Sequence, residues 1–249
     1  MGFLAGVLAV ALLAPAPIAP EYVALGDSYA SGAGAGAYLD GACRRSSNAY
    51  PALRGAEFTS FEFLACSGAT TRSLRPQLRA LTPATSLVTI TIGGNDLGFA
   101  DVLTTCTLNG DRACVSRVSE AREFTRSSLP SRLDSTYAAI RAAAPRAQLV
   151  VVGYPRLFTP DDRCRVMSGA KRMALNDAAD ELAAVVSQAA ALAGARFVDP
   201  REAFADHGVC AVEPWMNGLT NPVGDSYHPN KAGQAAYARI LFGFGRVFV

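Results

Sequence analysis

Short runs of apolar and β-branched residues alternate along this chain with longer stretches of helical periodicity, and that alternation restricts the fold more than any other feature. The strand candidates are residues 21–26 (EYVALG), 61–65 (FEFLA), 86–92 (SLVTITI), 148–153 (QLVVVG) and 195–198. Helical patterns cover residues 46–54, 72–81, 97–108, 115–144, 166–192 and 231–241. Pro51 is tolerable only in a first turn, and Asn109-Gly110-Asp111 and Pro130 read as breaks. Strand and helix in strict alternation predict a parallel sheet covered on both faces. This is the doubly wound α/β class, a flavodoxin-like three-layer α/β/α sandwich with a five-stranded sheet. Such sheets place their sites at the carboxyl ends of the strands. The 249 residues contain no internal repeat and no interdomain linker, so residues 21–249 read as one domain.

Residues 1–20 read differently. A continuous apolar stretch from Phe3 to Leu13 is followed by Ala14-Pro15-Ala16-Pro17, the pattern of a signal peptide with a small-residue end. The prolines cut the stretch short of the roughly 20 apolar residues that a spanning helix needs. The expectation is a secreted protein with no stable membrane insertion after cleavage; the alternative is an uncleaved segment that holds it at the membrane. Six cysteines, Cys43, Cys66, Cys106, Cys114, Cys164 and Cys210, fit export. None forms a C-x-x-C pair, so zinc or thioredoxin chemistry has little support, and an even count reads as three disulfides with fifteen pairings open. Half the residues are hydrophobic and 18% are charged, enough for a large core. A net charge of +2 without a basic run argues against nucleic acid as a partner. A monomer is expected, with no metal and no cofactor.

Three short motifs carry chemistry. Gly26-Asp27-Ser28 directly follows the first strand, where a serine is exposed at a strand-to-helix turn and adjacent N–H groups can face a developing oxyanion. Read alone it is also an ordinary turn with Asp27 or Ser28 as a helix cap. Gly93-Gly94-Asn95-Asp96 follows the third strand: two glycines permit close backbone approach, and the Asn95 amide donates without carrying charge. Asp225-Ser226-Tyr227-His228 precedes the last helix. The positive end of that helix disfavours imidazolium at His228 and favours the neutral form of a general base. Asp225 is close enough to reach Nδ1. His207, the other histidine, has no comparable partner pattern. A serine, an amide-bearing loop and a late Asp-x-x-His are the parts of an acyl-transfer site.

With Gly26-Asp27-Ser28-Tyr29, Ala65-Cys66-Ser67-Gly68-Ala69-Thr70, Gly93-Gly94-Asn95-Asp96 and Asp225-Ser226-Tyr227-His228-Pro229 in this order, the chain resembles the SGNH hydrolases, also called GDSL esterases and lipases. It is most similar to secreted actinobacterial members with three disulfides. The resemblance implies Ser28 as nucleophile, His228 as base and Asp225 as the third catalytic residue. It implies an oxyanion hole made of the Ser28 and Gly68 N–H groups and the Asn95 side chain. It also implies the pairs Cys43–Cys66, Cys106–Cys114 and Cys164–Cys210. Some secreted relatives orient the histidine with a backbone carbonyl, and Ser226 offers one here.

A serine hydrolase of lipid or other acyl esters is therefore the leading reading. A carbohydrate acetyl esterase on the same scaffold is the alternative. It would want a polar, aromatic-lined groove, whereas Leu39, Leu97, Phe99, Leu157, Phe158, Trp215, Met216 and Leu219 lean toward acyl chains, although core packing also accounts for most of them. A non-catalytic binding protein would have lost a catalytic element, and none is lost. A flavodoxin-like nucleotide binder would need a phosphate-cradling loop after the first strand, where Asp27 stands instead.

Overall fold

Strand β1 (Tyr22–Gly26) and strand β3 (Leu87–Thr91) are buried at every position. A strand that hides both faces belongs inside a parallel sheet covered on both sides. In the computed structural model, which describes residues 21–160 and 164–243, these two strands pair in parallel from Tyr22 against Leu87 to Gly26 against Thr91. β2 (Phe61–Phe63) joins the other edge of β1, β4 (Gln148–Val152) joins β3, and β5 (Arg196–Val198) joins β4. The order β2-β1-β3-β4-β5, parallel throughout, is the expected five-stranded doubly wound sheet. Strand order reverses between β1 and β3, and the crevice at such a switch point is where these folds bind ligands. The expected signal segment, residues 1–20, lies outside the described residues. Among the described residues no helix is long and apolar enough to cross a membrane.

The helices are α1 (Ser28–Ser31), α2 (Tyr50–Gly55), α3 (Phe99–Leu108), α4 (Asp111–Ser127), α5 (Leu129–Ala143), α6 (Gly169–Leu192) and α7 (Lys231–Phe242). One group packs α2 on α7, and another packs α4 on α3 and α6, with α5 also on α6. Leu129, Leu133 and Ile140 of α5 are fully buried, as is Ile90 of β3. Each such aliphatic side chain contributes about 1.5–3 kcal/mol relative to exposure.

Several boundaries differ from expectation for local reasons. The stretch expected as one helix over 115–144 divides at Ser128, because Pro130 is accommodated only in the first turn of a new helix. Helix α6 begins at Gly169 rather than 166, since the Ser168 side chain caps it by accepting from Lys171 N. The helix expected over 46–54 starts only at Tyr50, with Pro51 in its first turn. Residues 72–81 hold a single 3-10 turn, Gln77–Ala80, after Pro76. This turn fixes the end of β1, because the Gln77 amide accepts from Gly26 N at 2.8 Å and donates to Gly26 O at 2.9 Å.

Three disulfides, Cys43–Cys66, Cys106–Cys114 and Cys164–Cys210, join neighbouring cysteines. The first ties the loop after α1 to the loop after β2. Ser67 N donates to Cys43 O across it at 2.9 Å, and Cys66 N donates to Gly26 O at 2.9 Å.

Candidate active site

Strand β1 ends where β3 approaches most closely. A Cβ on Gly26 would lie 2.4 Å from Thr91 O, so only glycine fits. Asp27 N donates to Thr91 O at 2.9 Å, and the Asp27 carboxylate caps α1 by accepting from Tyr29 N at 3.0 Å. Ser28 is therefore the first residue of a short capped helix on the carboxyl rim of the sheet, 7% exposed. Its Oγ lies 2.8 Å from Nε2 of His228, two hundred positions later in the chain.

His228 is held by its own loop. Nδ1 lies 3.0 Å from Ser226 O. A carbonyl only accepts, so Nδ1 carries the proton and Nε2 turns its lone pair on the Ser28 hydroxyl. Between the two, Tyr227 takes the left-handed region at φ 58°, a strained choice for an aromatic residue. The turn is fixed by Asn217, whose backbone N donates to His228 O at 2.9 Å and whose side chain reaches Gly34 O and Asp225 O. Tyr29, beside Ser28, donates its hydroxyl to Tyr227 O at 2.9 Å. Burial pushes the His228 pKa down to about 4; the bond to Ser226 O opposes the shift, and the Arg44 charge adds to it.

Asp225, expected to orient His228, does not do so. Its Oδ1 accepts from Tyr38 Oη at 2.5 Å and forms an ion pair with Arg44. Arg44 also donates to Tyr38 Oη at 2.9 Å, and Gly34 N donates to the same oxygen at 2.9 Å. The carboxylate thus ties the His228 loop to the loop after α1, and the Ser226 carbonyl takes the position a triad acid would fill. Asp225→Asn is therefore expected to lower kcat by about tenfold or less, where a triad acid would cost on the order of 10⁴. Burial keeps His228 neutral above about pH 4, so with His228 as the base kcat/KM should rise through about pH 4 in both wild type and variant. Steady-state pH profiles of the two proteins check both statements. A hundredfold loss, or an acid limb in the ordinary histidine range of about 6 to 7, would contradict them.

Gly68 and Asn95 complete the rim. Gly68 has φ +82°, and a Cβ added there would meet nothing within 4 Å, so it is the backbone conformation and not space that demands glycine. Neither the Ser28 nor the Gly68 N–H has an acceptor among the described residues. The 3-10 turn Gly94–Leu97 presents Asn95, whose Nδ2 donates to Ala69 O at 3.0 Å and keeps its second proton available. Asp96 binds Thr71 N at 2.9 Å and Thr71 Oγ1 at 2.6 Å, so the Asn95 turn and the Gly68 loop are joined at two points. All three residues stand on the carboxyl rim of the sheet, Ser28 after β1, Gly68 after β2 and Asn95 after β3.

Tyr154, two residues past the end of β4, belongs to the site although the sequence does not single it out. Its hydroxyl donates to Asp27 Oδ2 and accepts from Gly94 N at 3.0 Å. Burial pushes the Asp27 carboxyl up to about 7, with the Tyr154 bond opposing the shift. The available signal is position alone: a residue shortly after a parallel strand stands on the same rim as Ser28 and Asn95. Of the loop hydrophobics, Leu97, Phe99 and Leu157 line an apolar pocket with Leu175 and Leu182, one wall of which is Tyr29. Phe158 and Met216 are core, Trp215 packs against it, and Leu39 and Leu219 are exposed. His207 stacks on Trp215 at 3.7 Å and takes no part in the site.

The sequence profile of the GDSL-like Lipase/Acylhydrolase family matches residues 24–236. The chain is similar to the extracellular lipase of Streptomyces rimosus, with 48% identity, a TM-score of 0.86, and 90% of this chain and 98% of that one covered. It is also similar to phospholipase A1 of Streptomyces albidoflavus, with 46% identity and a TM-score of 0.88 over 92% of this chain and all of that one. A catalytic mutant of an acetylxylan esterase from Geobacillus stearothermophilus shares the fold, with 18% identity, a TM-score of 0.57, and 92% and 96% coverage.

Proposed function

The chain belongs to the GDSL-like lipase/acylhydrolase family, and from that premise we propose a secreted carboxylic ester hydrolase that cleaves lipid or other acyl esters through an acyl-enzyme on Ser28. The observation that carries the reading is the Ser226 O–His228–Ser28 alignment, with bonds of 3.0 and 2.8 Å and a single tautomer consistent with both. Neutral Nε2 takes the Ser28 proton as Oγ attacks the ester carbonyl carbon. The carbonyl oxygen becomes an oxyanion facing Ser28 N–H, Gly68 N–H and Asn95 Nδ2. Collapse of the tetrahedral intermediate breaks the bond to the alcohol oxygen, which leaves with the proton from Nε2. Water, deprotonated by the same nitrogen, then attacks the acyl-enzyme, releasing the acid and restoring Ser28. In the imidazolium stages the Ser226 carbonyl accepts from Nδ1.

The 48% and 46% identities to a lipase and a phospholipase A1 support an acyl chain in preference to an acetyl group. Export fits the apolar N-terminal segment and the disulfides. We take the enzyme to be a monomer that needs no cofactor and no nucleic acid.

Turnover of p-nitrophenyl esters of increasing chain length, measured beside a phospholipid and an acetylated xylan, tests the substrate class. Rates should climb from acetate to longer chains, with the phospholipid cleaved and the xylan left intact. A maximum at acetate together with deacetylation of the xylan would establish the carbohydrate esterase instead.

A further inference from the structure

Asp27 is a buried carboxylate, 1% exposed, that the proposed acyl transfer does not use: it hydrogen-bonds to neither Ser28 Oγ nor His228. Its two oxygens face two different parts of the site. Oδ1 holds the first turn of α1 through Tyr29 N, at 3.0 Å. Oδ2 accepts a hydrogen bond from the Tyr154 hydroxyl, and the Tyr154 oxygen accepts one from the N–H of Gly94, the residue before Asn95. Tyr154 has one hydroxyl proton and hydrogen-bonds it to the carboxylate, so the bonds run in one direction: Gly94 N–H to Tyr154, Tyr154 O–H to Asp27. The phenol also lies against the Asn95 turn itself, since a Cβ on Gly94 would stand 3.3 Å from its ring and hydroxyl. Its ring meets Tyr29 edge-on at 5.0 Å.

We infer that Tyr154 is a positioning residue that joins the Asn95 turn to the Ser28 turn through Asp27 and so fixes the Asn95 amide where the oxyanion develops. The inference rests on the proposed ester hydrolysis at Ser28. Two other ties, Asn95 to Ala69 and Asp96 to Thr71, set the same turn against the Gly68 loop. The Tyr154 bridge supplies the remaining side by relating Asn95 to the nucleophile's own helix. A donor that is displaced by a fraction of an ångström stabilises the transition state less while binding the ground state about as well, so the effect belongs in kcat.

Tyr154→Phe removes the hydroxyl and keeps the ring contact with Tyr29. On a soluble p-nitrophenyl ester it should lower kcat by about 10- to 100-fold and change KM by less than about twofold. The same change made in Asn95→Ala should cost less than about twofold, because the amide it positions is already gone. A purely structural role would lower the melting temperature and leave the two losses independent. The inference is overturned if folded Tyr154→Phe keeps its kcat, or if less than half of its loss, on a logarithmic scale, disappears in the Asn95→Ala background. Should Tyr154→Phe fail to fold, Asp27→Asn, which takes away the carboxylate acceptor and keeps the phenol, must show the same kcat loss and the same disappearance. Ser28→Ala is measured alongside. Hydrolysis that does not depend on Ser28 would remove the reading of the site and this inference together, whereas Ser28-dependent hydrolysis with a silent Tyr154→Phe removes the inference alone.

Discussion

Ser28→Ala is expected to abolish ester hydrolysis, with kcat falling on the order of 10⁶-fold, the loss seen when the nucleophile of a serine hydrolase is removed. The change deletes one oxygen. The bonds that shape the turn do not pass through it: Asp27 still caps through Tyr29 N, Gln77 still holds Gly26, and Gly32 N still donates to Ser28 O. The variant should therefore unfold within a few degrees of wild type while its activity is lost. A fluorophosphonate should add its mass to the peptide that contains Ser28 in wild type and to no peptide in the variant, because the adduct forms only at an activated oxygen 2.8 Å from its base. Turnover at the wild-type rate by the alanine variant would remove the site assignment.

The rim of the site is legible in the sequence because parallel strands bring distant residues to one edge. Ser28 follows β1, Gly68 follows β2 and Asn95 follows β3, so recognising three strands places three motifs together. Strands β1 and β3 are legible for a simple reason: continuous burial selects a run of apolar and β-branched residues, and the two buried threonines of β3, Thr89 and Thr91, are hydrogen-bonded to Tyr22 and Tyr50. Residues 72–81 are less so, since their turn is organised by Gln77 against Gly26, a contact 51 positions away. Asp225 shows the same limit. It has the residue type and spacing of a triad acid, but its partner Arg44 lies 181 positions upstream, and nothing in the local sequence announces a competing cation. Tyr154 escapes a sequence reading because an aromatic residue after a strand reads as core. Its ring is indeed core, and only its hydroxyl, among the carboxylate and the amide it meets, gives it another role.

Asn95→Ala is expected to lower kcat by about 10²–10³-fold with little change in KM, the usual cost of losing one preorganised oxyanion donor. The reason lies in what the amide is bonded to before substrate arrives. One Nδ2 proton is committed to Ala69 O at 3.0 Å, which sets the plane of the amide and leaves the other proton without an acceptor among the described residues. The turn behind it is fixed by Asp96 on Thr71 and by Gly94 N on Tyr154, so the donor need not reorganise as charge develops. Ser28 N–H and Gly68 N–H remain in the variant, and the residual rate should stay well above that of Ser28→Ala. Asn95→Asp should be at least as slow as Asn95→Ala, since it replaces a donor by a carboxylate facing the same developing negative charge. Full kinetics for the two variants on one soluble ester decide the matter: a loss confined to KM, or Asn95→Asp turning over faster than Asn95→Ala, would mean that Asn95 shapes the turn without touching the oxyanion.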